Sequence, residues 1–115
     1  MFKRKRPESR LLTGVGAVLS ASHRDQQTGQ IHGHTWEITA WFRYDGTDKD
    51  VRQYQLNKVV DRLDHRCLPD RIAWGESLAR HIGLTMPYGY ADGDPSCIAV
   101  EVRREPERIY ARWER

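Results

Sequence analysis

Only two cysteines, Cys67 and Cys97, stand in the 115 residues, too few for a disulfide framework. No apolar run approaches the roughly 20 residues of a membrane helix, and no apolar signal segment is present. The chain is therefore expected to be cytoplasmic and to have no membrane partner. No internal repeat and no low-complexity tract interrupts it. Charge of one sign is also scarce, since the net value is only +3. Much of that excess lies in Lys3, Arg4, Lys5, Arg6 and Arg10. No aromatic platform is interleaved with these cations as a nucleic-acid module would need. Residues 1–10 are accordingly read as a basic, flexible arm, and nucleic acid is not the expected partner.

What is present fits a single domain over residues 11–115. Hydrophobic residues make up 38% and charged residues 30%, a polar balance for a globular domain. Part of its stability is expected to come from assembly with further copies of itself.

Two periods organise the chain. Over residues 11–23, Val15, Ala17, Leu19 and Ala21 recur at every second position, and over 31–42 so do Trp36, Ile38, Ala40 and Phe42. Each run predicts a strand with one apolar side. Asp45-Gly46-Thr47-Asp48 reads as a turn. Leu56, Val59, Val60 and Leu63 share one helical face, with Asp50 as the expected N-cap. A shorter helix is expected over 76–82, closed by Gly83. Pro and Gly mark 86–96 as a loop. Ile98, Val100 and Val102 then alternate with Cys97, Ala99, Glu101 and Arg103. A last strand over 109–113 follows a turn at 105–107. The order β-β-α-α-β-β predicts an α+β domain with an antiparallel sheet and its helices on one face.

His23, His32 and His34 end the apolar sides of the first two strands. Residues two apart on a strand share a face, so His32 and His34 project together, and a hairpin through residues 24–31 brings His23 beside them. Three imidazoles without a fourth protein ligand are the donor set of a zinc site with one open position. Asp64-His65, just past the first helix, pairs a titratable base with a carboxylate able to orient it. Glu101 is either a solvated strand residue or an acceptor for a guanidine-like ligand edge. Glu76, opening the second helix, is placed for capping or for supporting a ligand histidine.

Taken in order, Leu19-Ser20-Ala21-Ser22-His23, His32-Gly33-His34-Thr35-Trp36, Leu63-Asp64-His65, Glu76 and Val100-Glu101 resemble the motifs of the 6-pyruvoyl- and 6-carboxy-tetrahydropterin synthase family. The resemblance implies a tunnelling fold (T-fold), in which sheets of several subunits join into a barrel, giving a homotrimer or hexamer. It implies Zn2+ on His23, His32 and His34, a pterin ring anchored by Glu101, and Asp64 and His65 as two members of a catalytic triad. The implied activity is that of a lyase on a dihydroneopterin phosphate, with 7-deazaguanine (queuosine) synthesis as a possible route.

The chain departs from the family pattern at two places. Thr28 stands where the family has its triad cysteine, and a hydroxyl is a far poorer base or nucleophile than a thiolate near neutral pH. Ala73-Trp74-Gly75 replaces the proline-threonine pair before the helix glutamate. Cys67 is the nearest thiol in sequence, with a buried structural position expected for it. Three readings stay open: a synthase of the family, a diverged enzyme with another pterin substrate, and a non-catalytic pterin- or metal-binding protein.

Overall fold

The computed structural model describes residues 11–87, 97–105 and 109–115, the side chains of Glu105 and Ile109 excepted. The basic arm lies outside these residues, as do most of the loop expected over 86–96 and part of the turn at 105–107. Four strands, β1 (Leu12–Arg24), β2 (Ile31–Arg43), β3 (Cys97–Glu105) and β4 (Ile109–Glu114), form one antiparallel sheet in the order β1-β2-β3-β4. Between β2 and β3 run α1 (Lys49–Asp61), a 3-10 turn (Asp70–Ile72) and α2 (Gly75–Thr85). The β-β-α-α-β-β order read from the periodicities is the order observed. Among the described residues no helix is long and apolar enough to cross a membrane.

The core lies between the helices and one face of the sheet. Val15, Leu19 and Ala21 of β1, Trp36, Ile38, Ala40 and Phe42 of β2, and Val100 and Val102 of β3 are buried there. They meet Leu56, Val59 and Val60 of α1 and Leu78, Ala79 and Ile82 of α2. Alternation extends this face to His23, His32 and His34, which therefore share the helix side of the sheet with the core.

Several local expectations are corrected. α1 begins two residues earlier than expected, because Asp48 rather than Asp50 is its N-cap, its carboxylate accepting the Asp50 N–H. The helix also buries a charge. Arg52 is only 1% exposed, yet it donates to Asp45 at 3.0 Å and to Gln55 at 3.0 Å and lies 4.6 Å over the Phe42 ring. That pairing is what permits a guanidinium inside the core, and it ties the 45–48 turn to the helix. Gly83 does not close α2 but sits inside it, where a Cβ would fall 2.1 Å from the Trp113 ring. The helix instead runs to Thr85, whose hydroxyl donates to the carbonyls of His81 and Ile82. In β3, the register with β2 shifts between Trp41 and Phe42. This irregularity turns Cys97 into the core and leaves Ile98 half-buried, where simple alternation puts Ile98 inside.

Candidate metal centre and its neighbouring dyad

The β1–β2 register sets His23 directly opposite His32 and Ala21 opposite His34, so the three imidazoles gather at the hairpin end of the sheet. The Nε2 atoms of His23 and His34 are 3.0 Å apart, and their rings are stacked with centroids at 4.9 Å. His32 stands 6.2 Å from the His23 ring and 6.5 Å from the His34 ring. Two nitrogens on one tetrahedral zinc, at metal–nitrogen bonds of 2.0–2.1 Å, lie about 3.3 Å apart. The His23–His34 pair is thus within a few tenths of an ångström of a ligand pair. His32 is turned toward Asp25, its Nε2 3.7 Å from Oδ2. Among the described residues no three His, Cys, Asp or Glu side chains are already arranged to hold a metal ion. The donor set, three neutral-capable imidazoles on one face, suits zinc.

Asp25 is a residue that sequence reasoning missed. Its Oδ1 accepts the N–H groups of Gln27 and Thr28, closing the loop that joins β1 to β2. These two donors, ahead of the nearby histidines, hold its carboxyl below the usual value. The signal was an aspartate followed two residues on by a polar turn, the pattern of an Asx-turn. In the same loop the Thr28 hydroxyl accepts the Gln30 N–H at 3.2 Å, which helps shape the turn.

The Asp64–His65 pair is delivered by an unusual route. After α1 the chain runs alongside the outer edge of β1, with Ser22 and Cys67 forming a parallel bridge. Ser22 N–H donates to Arg66 O, and Leu68 N–H to Ser22 O. Ser20 is held on both sides: its carbonyl accepts the His65 N–H, and its N–H donates to Asp64 Oδ1 at 2.8 Å. Asp64 Oδ2 meets His65 Nδ1 at 2.7 Å. The Ser20 N–H lowers the Asp64 pKa most, against burial, with His65 adding to the lowering. His65 adopts a left-handed backbone, φ 58°, uncommon for a residue with a Cβ, and its side chain is 80% exposed. The dyad is thereby anchored three residues from His23 along β1, with the orienting carboxylate fixed and the imidazole open to a ligand.

Other expected site residues are placed differently. Glu101 lies on the sheet face opposite the histidines, paired across the ladder with Thr39 and Arg112 and 3.6 Å from the Arg112 guanidinium. Glu101 and the histidines of the same chain therefore do not converge. Glu76 is exposed in the first turn of α2, where it favours the helix dipole. Cys67 is exposed, not buried as expected, because it belongs to the edge segment beside β1. The buried thiol is Cys97.

The sequence model of the 6-pyruvoyl tetrahydropterin synthase family matches residues 17–115. The chain belongs to this family. Among solved structures, the 6-pyruvoyl tetrahydropterin synthase of Caenorhabditis elegans superposes with a TM-score of 0.72 at 14% identity, covering 93% of this chain and 96% of that one. That likeness shows the fold, the T-fold of tetrahydropterin synthases. No curated protein sequence matches the chain significantly. Within a tetrahydropterin-synthase fold, then, this chain carries a cluster of three histidines, an aspartate–histidine dyad and a threonine in the loop that joins β1 to β2.

Proposed function

We propose that this tetrahydropterin-synthase-family protein is a zinc-dependent lyase of the 6-carboxy-tetrahydropterin synthase type. Its substrate would be dihydroneopterin triphosphate, in a route toward queuosine-type 7-deazaguanines. The observation that carries this reading is the meeting of His23 and His34 at 3.0 Å on the helix side of the sheet, with His32 opposite His23. His23, His32 and His34 would hold the metal, which when bound acts as a Lewis acid that lowers the pKa of substrate hydroxyls.

The chain's own residues supply the rest. Asp64, fixed by the Ser20 N–H, orients the His65 imidazole through Nδ1, leaving Nε2 to take or return a proton at the substrate side chain. Asp25 stands beside His32 as a carboxylate able to orient that ring. A carboxylate of β3 would accept the amino and ring N–H groups of the pterin. Glu101 is our first candidate, and its place on the opposite face requires that it serve a site shared with a second copy. Assembly into a trimer or hexamer would supply that copy, joining the outer edge of β4 to the uncovered part of β1.

A second reading, a pterin- or metal-binding protein with little turnover, is favoured by the Thr28 hydroxyl. It accepts the Gln30 N–H and has no thiolate chemistry to offer. Chromatographic product analysis after incubating zinc-loaded protein with dihydroneopterin triphosphate separates the two. Slow, zinc-dependent formation of a 6-carboxy pterin supports the lyase. Tight pterin binding with unchanged substrate supports the binder, and neither binding nor turnover overturns both.

A further inference from the structure

Trp74 is the N-cap residue of α2, and its backbone is pinned there. Its carbonyl accepts the Leu78 N–H at 2.7 Å and the Ser77 hydroxyl at 3.0 Å. The next residue lets this turn approach the sheet: a Cβ on Gly75 would sit 3.1 Å from Ala111 Cβ, tighter than ordinary contact. Together, Trp74 and Gly75 set an indole against the histidine end of the sheet, its centroid 5.1 Å from the His23 ring in an edge contact.

The two partners differ sharply in exposure, 5% for His23 and 43% for Trp74. Part of the indole covers the imidazole, and the rest is open to solvent. The neighbouring indole, Trp36, lies 6.1 Å from His34 but is only 2% exposed, so it belongs to the core floor and no ligand can reach it. A partly open aromatic surface beside converging histidines has the shape of a ligand wall. Cover for His23 alone could be given by a smaller aliphatic side chain.

We propose that Trp74 is a substrate-contacting wall of the histidine site, taking a planar fused heteroaromatic ring of pterin or purine size against its indole, and that it sets ring specificity in this chain. The inference rests on the reading of the histidines as a substrate site. Stacking suits this class of ligand because every such ring offers a flat polarisable face, while the tryptophan has only two side-chain torsions to immobilise.

The test uses neopterin as a non-reacting probe, titrated into the zinc-loaded full chain by calorimetry, for the parent, Trp74→Phe, Trp74→Leu and Trp74→Ala. Zinc content and thermal midpoint are measured in parallel. Trp74→Leu keeps apolar cover over His23 and removes the aromatic face, so it guards against a misfolded alanine variant. Loss of stacking is expected to weaken neopterin binding on the order of tenfold in Trp74→Leu, with Trp74→Phe within about threefold of the parent and zinc content unchanged. Equal neopterin affinity in the parent and Trp74→Leu would overturn the wall and leave the functional reading standing. A parent that does not bind neopterin overturns both. Weakening in Trp74→Phe as great as in Trp74→Leu would remove stacking as the cause.

Discussion

Replacing Asp64 separates its two tasks. Its Oδ1 accepts the Ser20 N–H at 2.8 Å, and its Oδ2 orients His65 at 2.7 Å. Asp64→Ala leaves the Ser20 N–H without its acceptor, a loss of about 1–2 kcal/mol at a partly exposed site. The contact with the largely exposed His65 adds only a few tenths of a kcal/mol at most. For a domain of this size, that lowers the thermal midpoint by about 4–8 °C. Asp64→Asn keeps an oxygen for Ser20 and is expected to cost less than about 1 kcal/mol. Both variants remove the charge that orients the imidazole, and each should slow turnover of dihydroneopterin triphosphate on the order of 10²–10⁴-fold. The pH dependence has a definite sign. The folded-state carboxyl is held below its ordinary 3.8, so its stabilisation is present above the unfolded pKa and is lost as pH falls through the folded one. The gap in midpoint between parent and Asp64→Ala should thus narrow below about pH 4 without closing, because the protonated carboxyl keeps an oxygen that accepts the Ser20 N–H, as the amide of Asp64→Asn does. Thermal melts by circular dichroism, alongside product assays, read both tasks. An Asp64→Asn variant that melts as low as Asp64→Ala would refute the acceptor argument, and unchanged turnover would refute the orienting role.

Three further expectations follow from single contacts. Gly83→Ala drives a methyl into the Trp113 ring and should destabilise the fold by about 1–3 kcal/mol, read as a lower urea midpoint at unchanged slope; an unaltered midpoint would show that Trp113 moves away freely. A thiol reagent at pH 8 should label Cys67 at once and Cys97 only on unfolding, since burial pushes the Cys97 thiol up to about 11. As that raised pKa favours the protonated native state, stability should fall as pH rises from about 9 toward 11; prompt labelling of both thiols in native protein would contradict the burial. Glu101→Gln should weaken neopterin binding by about tenfold with zinc content unchanged if Glu101 anchors the ring. Equal affinity in Glu101→Gln would move the anchor elsewhere.

The elements that follow from strong periodicity are legible in the amino-acid sequence alone. Alternating apolar positions locate β1 and β2 and put His23, His32 and His34 on the core side, and the helical spacing of Leu56, Val59 and Val60 locates α1. What stays hidden depends on contacts distant in sequence. The shift at Trp41/Phe42 that turns Cys97 inward leaves no local mark on β3. Gly83 carries the composition of a helix stop, but its lack of a Cβ answers to Trp113, 30 residues away in the chain. Asp48 and Asp50 are chemically equal candidates for the cap, and only the backbone turn decides between them. Cys67 is expected inside because cysteine is usually buried, and it is exposed because its segment lines a sheet edge. The histidine site is legible as a donor set. Its second carboxylate, Asp25, and its aromatic neighbour, Trp74, are not, because loop closure and helix docking bring them there.

The central claim is that His23, His32 and His34 together hold one metal ion. Elemental analysis of the full chain, stripped by chelator, reloaded with zinc and freed of excess, tests it directly when repeated on His23→Ala, His32→Ala and His34→Ala. The account predicts about one zinc per chain in the parent and its loss in each variant. No retained zinc in a folded parent, or retention undiminished by all three substitutions, would contradict it.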